Sequence, residues 1–114
     1  MKGYKVVAKY DGRLESVTVP SNNPECRVYN SISYTETYTK GRVHYPLFVF
    51  DTAEHAKEFR SRMFGENHVY EVDYVPYKGR LPKLDQYQSS FKELQEQCEG
   101  TLYASKVKLI KEIE

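Results

Sequence analysis

The chain has 114 residues, of which 39% are hydrophobic and 29% are charged, a composition typical of a globular domain with a hydrated surface. This length favours one domain over residues 1–114, with enough core to dispense with a metal or a disulfide staple. Lys and Arg (17) almost balance Asp and Glu (16), for a net charge of +1. That balance argues against a general polyanion binder.

The first 19 residues have the pattern of a β-hairpin that turns at Asp11-Gly12. This dipeptide is favoured in a two-residue type I′ turn, because both turn positions need positive φ. The turn fixes the register, so one face of the hairpin lies on the core. The other face, which carries Lys5 and Lys9, is mostly polar and is predicted to be hydrated. The residues predicted to face inward are Tyr4, Val6, Ala8, Val17 and Val19.

Three segments follow the hairpin. Residues 20–24 are turn formers, and residues 26–32 are predicted to form a short strand. Residues 31–42 are rich in Ser, Thr and Tyr, and their pattern fits either an extended sheet edge or a mobile loop. Residues 46–50, Pro-Leu-Phe-Val-Phe, are continuously apolar, which predicts a strand buried on both faces.

A first helix is predicted directly after this apolar strand. Asp51 or Thr52 can cap its N-terminus, and Gly65 is expected to end it in a left-handed conformation. Its buried stripe is predicted to contain Ala53, Ala56, Phe59 and Met63, together with the aliphatic part of Arg60.

The alternation over residues 69–75 predicts another strand. A second helix is predicted to begin at Asp85 and to end at Gly100, and residues 101–114 read as a final strand. In the strand at residues 69–75, the residues predicted to face inward are Tyr70, Val72 and Tyr74. In the second helix they are Tyr87, Phe91, Leu94 and Cys98.

Hairpins dominate this order of elements and helices are few. We therefore expect an α+β fold, in which a mostly antiparallel sheet opens with a β-hairpin and two helices pack on one side.

No cofactor or metal site is predicted. The six glycines are isolated from one another, and no phosphate-binding glycine motif or nucleophile elbow occurs. His44, His55 and His68 form no metal-binding pair along the chain, and Cys26 and Cys98 fit no zinc spacing.

Two carboxylates, Glu71 and Asp73, lie on one face of the predicted strand, about 7 Å apart by strand rise. Such a pair could hold a divalent cation or act as a general acid and its partner. The hydrated face of an ordinary antiparallel strand produces the same alternation.

The chain contains eleven Tyr and no Trp, and several tyrosines cluster with basic residues in the middle of the sequence. This mixture can contact a protein or stack single-stranded bases, and it also fits an edge strand that covers a small core. The candidate binding residues are Tyr29, Tyr34, Tyr38, Lys40, Arg42 and Tyr45.

The N-terminus has no apolar stretch of the kind found in signal peptides, and no segment approaches the length of a membrane span. We expect a cytoplasmic protein, with Cys26 and Cys98 both reduced.

The segments YKVV…DGRLESVTV, PLFVFDTAEHAKEF and VYEVDYVP resemble small uncharacterised proteins of phage and other prokaryotic genomes. The likeness covers about two-thirds of the chain. It implies a viral or mobile-element origin and no particular activity.

A more remote likeness is to ADP-ribosyltransferase-like domains. Ser31-Ile32-Ser33 stands where that family has Ser-Thr-Ser, and Glu71 would be the catalytic glutamate. The first strand offers Lys5 and Lys9 where the family has the Arg or His that grips the dinucleotide.

The leading hypothesis is a small non-enzymatic module that binds a partner protein through residues 29–45 and a neighbouring sheet edge. The alternatives are an ADP-ribosyltransferase-like enzyme that uses Glu71 and a module that binds single-stranded nucleic acid through the same tyrosines.

Overall fold

A computed structural model describes residues 1–17, 19, 22–79 and 98–114. About half of this part of the chain, 53%, is strand, and one short helix is present in it. The elements in chain order are β1 (Lys2–Tyr10), β2 (Arg13–Ser16), β3 (Val28–Tyr29), β4 (Thr35–Glu36), β5 (Tyr38–Lys40), β6 (Val43–Tyr45), β7 (Leu47–Phe50), α1 (Ala53–Ser61), β8 (Asn67–Pro76) and β9 (Thr101–Glu112).

The predicted α+β class is therefore wrong, because the fold is mostly β and its main sheet closes on itself like a small barrel. Strand β1 pairs with β7 and β8, and β9 also pairs with both, so these four strands form a ring. Strands β2 and β3 extend the sheet beyond β1, and β4 extends it beyond β9. Two register shifts in β8, at 71/72 and 75/76, add the local twist that closure requires.

The first turn confirms its prediction, since Asp11 and Gly12 have φ of 52° and 79°. The register is also as predicted over four pairs, from Tyr10–Arg13 to Val7–Ser16. Strand β2 then ends at Ser16, so its pairing with β1 does not reach Tyr4. Tyr4 pairs with Phe50 of β7 on that side instead.

Both faces of β1 are buried over residues 5–7, so the prediction of one hydrated face is wrong there, and it holds only for Lys9 near the turn. Val7 points into the barrel, where it packs with residues from β3, β7, β8 and β9, and it is fully buried. Val6 points outward and is 2% exposed, because α1 covers that face. The other residues of this outer cluster are Phe50, Ala56, Phe59 and Val69.

Helix α1 packs on β1, β7 and β8. Thr52 caps it as predicted, with its hydroxyl accepting the backbone N–H of His55 at 3.2 Å. The predicted C-terminal glycine is wrong, because the helix ends at Ser61 with Arg62 as its cap. Gly65 has a φ of 92°, but it lies in the loop beyond.

The predicted strand at 46–50 is confirmed as β7, which is buried along its whole length. In β8, Val72 and Tyr74 point into the core as predicted, and the final strand is confirmed as β9. The predicted strand at 26–32 shrinks to the two residues of β3. The second predicted helix, from Asp85 to its end at Gly100, lies outside the described residues except for residues 98–100.

Candidate functional site

The segment that the sequence left open between edge and loop, residues 31–42, contains the edge strand β4, which pairs with β9, and the first part of a hairpin. Strands β5 and β6 form a separate two-stranded sheet, closed by a turn at Gly41 and Arg42. We call residues 38–45 the tyrosine hairpin. Tyr38 and Tyr45 pair across its base with their rings stacked 5.8 Å apart. Residues 39–44 beyond this pair are all exposed.

Two of the other candidate tyrosines are held by the barrel. Tyr29 belongs to the interior core and is 3% exposed. Tyr34 donates its hydroxyl hydrogen bond to Asp73, and the ammonium groups of Lys106 and Lys108 lie about 5 Å from its ring centroid. Of the six candidate binding residues, Tyr29 is therefore buried, and Tyr34 is held by contacts within the protein.

The exposed group is the tip of the tyrosine hairpin. Lys40 and Arg42 are both exposed there, and neither forms an ion pair with a described residue. At the base, the guanidinium carbon of Arg27 lies 5.3 Å from the centroid of the Tyr38 ring. The hairpin thus presents a basic tip on an aromatic base.

A cleft lies where this base meets the barrel, and it opens because β1 changes partner from β2 to β7. We call it the Lys5 cleft. The space accessible to water in it is about 30 Å³, enough for a water molecule, and its volume including the open mouth is about 390 Å³. Its walls include the aromatic rings of Tyr29, Tyr38 and Tyr45, and the side chains of Val17, Val19 and Leu47.

Lys5 is the basic residue of this cleft and is 5% exposed. Its Nζ atom donates a hydrogen bond of 2.5 Å to the carbonyl oxygen of Phe48 and lies 4.7 Å from the ring centroid of Tyr29. No described carboxylate forms an ion pair with it. Burial therefore lowers the pKa of Lys5 to about 7.

Sequence reasoning missed Lys5, because it assigned the residue to a hydrated hairpin face. Lys5 shares that face with Val7, which is fully buried. The signal was there in principle: residues 4–8 of β1 include apolar side chains on both of its faces, as a strand covered on both sides would require.

The two carboxylates of β8, Glu71 and Asp73, each form an ion pair with a separate cation and do not form a joint site. Glu71 forms an ion pair of 2.7 Å with Lys2, and that contact lowers the pKa of Glu71. Asp73 accepts hydrogen bonds from Tyr34 and from the N-terminal ammonium of Met1, and these lower its pKa. Neither carboxyl group is thereby suited to hold a proton near neutral pH.

Glu71 also lies apart from the other residues of the ADP-ribosyltransferase comparison. It pairs with Tyr4 across β1 and β8, while Lys5 pairs with Tyr70, so Glu71 and Lys5 point to opposite faces of the sheet. Ser31 lines a different cavity, which contains Tyr70 but not Glu71. Among the described residues, neither Lys5 nor Ser31 therefore lies with Glu71 in a common nucleotide-binding site.

A second polar cluster lies at the start of α1. The Nδ1 of His55 is 2.6 Å from Oδ1 of Asp51, and this hydrogen bond raises the pKa of His55 and lowers that of Asp51. Gly100, with a φ of 83°, lies against the pair, and a Cβ atom at that position would collide with both side chains.

Cys98 lines a cavity of about 180 Å³ with His55, but the two side chains form no hydrogen bond. The thiol instead lies 3.9 Å from a guanidinium nitrogen of Arg62. Burial raises the pKa of Cys98, so the thiol stays protonated at neutral pH. The arrangement therefore lacks the activated thiolate of a cysteine nucleophile.

Comparison with known proteins finds no match: no family model, no curated protein and no solved structure is similar to this chain. The described residues contain no group of three or more His, Cys, Asp and Glu that could hold a metal ion. None of the helical structure described is long and apolar enough to cross a membrane.

Proposed function

We propose that this protein is a small non-enzymatic module that binds a partner protein through the tyrosine hairpin. The observation that carries the proposal is the separate sheet of β5 and β6, which has no third strand among the described residues. An isolated two-stranded sheet leaves two edges of backbone groups, and such edges accept an added strand from another chain.

The register of the hairpin identifies the backbone groups that a partner strand would use. Lys40 and Val43 flank the two-residue turn and form the hydrogen-bonded pair. The next pair, Thr39 and His44, is then a non-hydrogen-bonded pair, whose N–H and C=O groups point outward along the two edges. One edge offers the groups of Thr39 and the other those of His44.

The charges of the tip indicate the chemistry of the partner. Lys40 and Arg42 are exposed and have no acidic partner among the described residues. An extended segment with acidic side chains would pair with both cations while its backbone adds to the sheet. The stacked rings of Tyr38 and Tyr45 hold the base of the hairpin for this contact.

Binding of single-stranded nucleic acid through the same tyrosines has less support. Tyr38 already stacks on Tyr45, and Arg27 lies over the Tyr38 ring. The ring of Tyr34 is in contact with two lysine ammonium groups, and Tyr29 is buried. Bases need open aromatic faces for stacking, and these rings are engaged within the protein.

The setting we propose is the cytoplasm, which is that of the host if the gene is carried by a virus or mobile element. Cys26 and Cys98 are both free thiols, as expected in a reducing compartment.

The test begins with affinity capture from the native host and continues with the purified partner in calorimetry. The double variant Lys40→Glu/Arg42→Glu is expected to lower affinity at least tenfold. Its matched control is Lys9→Glu/Lys78→Glu, which makes the same change in net charge at two exposed sites away from the hairpin. Equal affinity of the two double variants would contradict the proposal.

Two single variants test strand addition itself. Thr39→Pro and His44→Pro each remove one outward N–H while leaving the hydrogen bonds of the Lys40–Val43 pair in place. We expect one of them to abolish binding and the other to have little effect, which would identify the edge. If both bind as the wild type does, the partner does not add a strand to this hairpin.

A further inference from the structure

The Lys5 cleft brings together a buried amine, a lining of mixed polarity and an opening to solvent. Lys5 shares this cleft with Tyr38 and Tyr45 of the tyrosine hairpin, and Val17 and Leu47 also line it. A lysine carrying a full charge in such surroundings would ordinarily have a carboxylate partner, and none of the described carboxylates pairs with it.

We propose that Lys5 is a nucleophilic amine that condenses with a small uncharged aldehyde entering the cleft beside Tyr38 and Tyr45. This proposal is independent of the protein-binding role. The lining of the cleft is of mixed polarity, with Ser16 and Glu25 beside apolar side chains, and its water-accessible space of about 30 Å³ has room for the carbonyl end of a small aldehyde. The rest of the molecule would lie in the wider mouth between the hairpin and the barrel.

The hydrogen bonding of Lys5 leaves its lone pair available. A neutral amine has two N–H groups and one lone pair, and one N–H of Lys5 is donated to the carbonyl oxygen of Phe48. That contact fixes the position of the nitrogen without consuming the lone pair. Burial lowers the pKa of Lys5 to about 7, so about half of the molecules carry the neutral amine at that pH. An exposed lysine is neutral in only about one molecule in a thousand at pH 7.4.

The reaction is an addition followed by loss of water. The lone pair of Nζ attacks the carbonyl carbon, an N–C bond forms, and the carbonyl oxygen takes up a proton to give a carbinolamine. The nitrogen lone pair then forms the C=N bond of the imine as the C–O bond breaks, and the oxygen leaves as water, carrying the two protons that the nitrogen has lost. Ser16 and Tyr29, whose hydroxyl oxygens lie 3.5 Å apart, also line the cleft. Burial raises the pKa of Tyr29, which keeps its hydroxyl protonated.

The test uses the full chain with propionaldehyde and sodium cyanoborohydride, which reduces an imine to a stable propyl amine. Peptide mapping by mass spectrometry then gives the rate of modification at each lysine. At pH 7.4 we expect Lys5 to react at least tenfold faster than Lys9, an exposed lysine of the same strand that serves as the internal control. A rate at Lys5 equal to or below that at Lys9 would overturn the proposal.

The pH profile gives a second, independent readout. The rate at Lys5 is expected to level off above about pH 7, because its amine is then mostly neutral. The other titratable groups that face the cleft are Glu25, Tyr29, Tyr38 and Tyr45. A Lys5 rate that keeps rising up to about pH 10, the range of an unperturbed lysine, would also overturn the proposal.

Discussion

The Nζ atom of Lys5 lies 2.5 Å from the carbonyl oxygen of Phe48, a residue 43 positions further along the chain. This contact joins β1 to β7 at the point where the two strands make their single backbone pairing, Tyr4 with Phe50. The side chain of Lys5 therefore links β1 to β7 where the backbones of the two strands form only one residue pair. Because the amine is buried without an acidic partner, its protonation is coupled to the stability of the fold.

We predict that the free energy of unfolding rises between pH 7 and pH 9.5. The folded-state pKa of Lys5 is about 7, below the unfolded value near 10.4, so the unfolded chain binds more protons in this interval. Stability is therefore gained as pH rises and is lost as it falls towards 7. The expected gain is on the order of 3 kcal/mol, measured by urea unfolding at a series of pH values.

The control for this effect is Lys5→Met, which keeps a side chain of similar length without the amine. Its stability should be nearly flat over the same interval. The series stops at pH 9.5, because the raised pKa of Tyr29 would begin to act in the opposite direction above the unfolded value near 10. If the wild type and Lys5→Met show the same slope, Lys5 is not the buried titrating group.

A second prediction concerns Gly100 and the pair that it shelters. Gly100→Ala forces a Cβ atom into Asp51 and His55 and also strains the backbone at a φ of 83°. Gly41→Ala, at a φ of 64° with open space around it, has only the backbone strain and is the matched control. We expect about 1 kcal/mol of destabilisation for Gly41→Ala and at least about 2 kcal/mol for Gly100→Ala, from denaturant unfolding. Equal losses would mean that the collision is relieved at no cost.

The Asp51–His55 hydrogen bond gives a third prediction. It raises the folded-state pKa of His55 above the unfolded value near 6.5. Its contribution to stability is therefore fully present below pH 6.5 and is lost as pH rises through the folded pKa. NMR titration of the ring should show a pKa above 6.5 for the wild type and a lower one for Asp51→Asn. An unchanged titration in the variant would mean that Asp51 does not hold the ring in solution.

Local chemistry made much of this fold predictable. The turn at Asp11-Gly12, the Thr52 cap and the apolar strand β7 all follow from residues that are close in sequence. The closure of the sheet does not, because it depends on β1 and β9 each finding two partners far along the chain. An alternating pattern reports which side chains share a face, and it does not report whether a helix will cover the outer one.

The candidate site shows the same division. The sequence identified the tyrosine-rich segment, and its exposed part is the hairpin of β5 and β6. It could not separate Tyr29 from the others, because a tyrosine in the core and one at a surface look alike in composition. Lys5 was missed for a related reason. Its burial results from barrel closure and from the base of the hairpin, both of which are tertiary contacts.

A fourth prediction tests whether α1 seals the outer face of the barrel. Phe59 is fully buried, and its ring packs 5.4 Å from that of Phe50 in β7. Phe59→Ala removes these contacts and leaves a cavity between helix and sheet, so we expect a loss of about 3–5 kcal/mol in the free energy of unfolding. Phe64→Ala is the matched control, because Phe64 lies three residues beyond the helix and is 90% exposed, and it should change stability by less than about 0.5 kcal/mol. Urea unfolding followed by far-UV circular dichroism distinguishes these outcomes, and similar losses in the two variants would mean that the helix does not pack on β7 in solution.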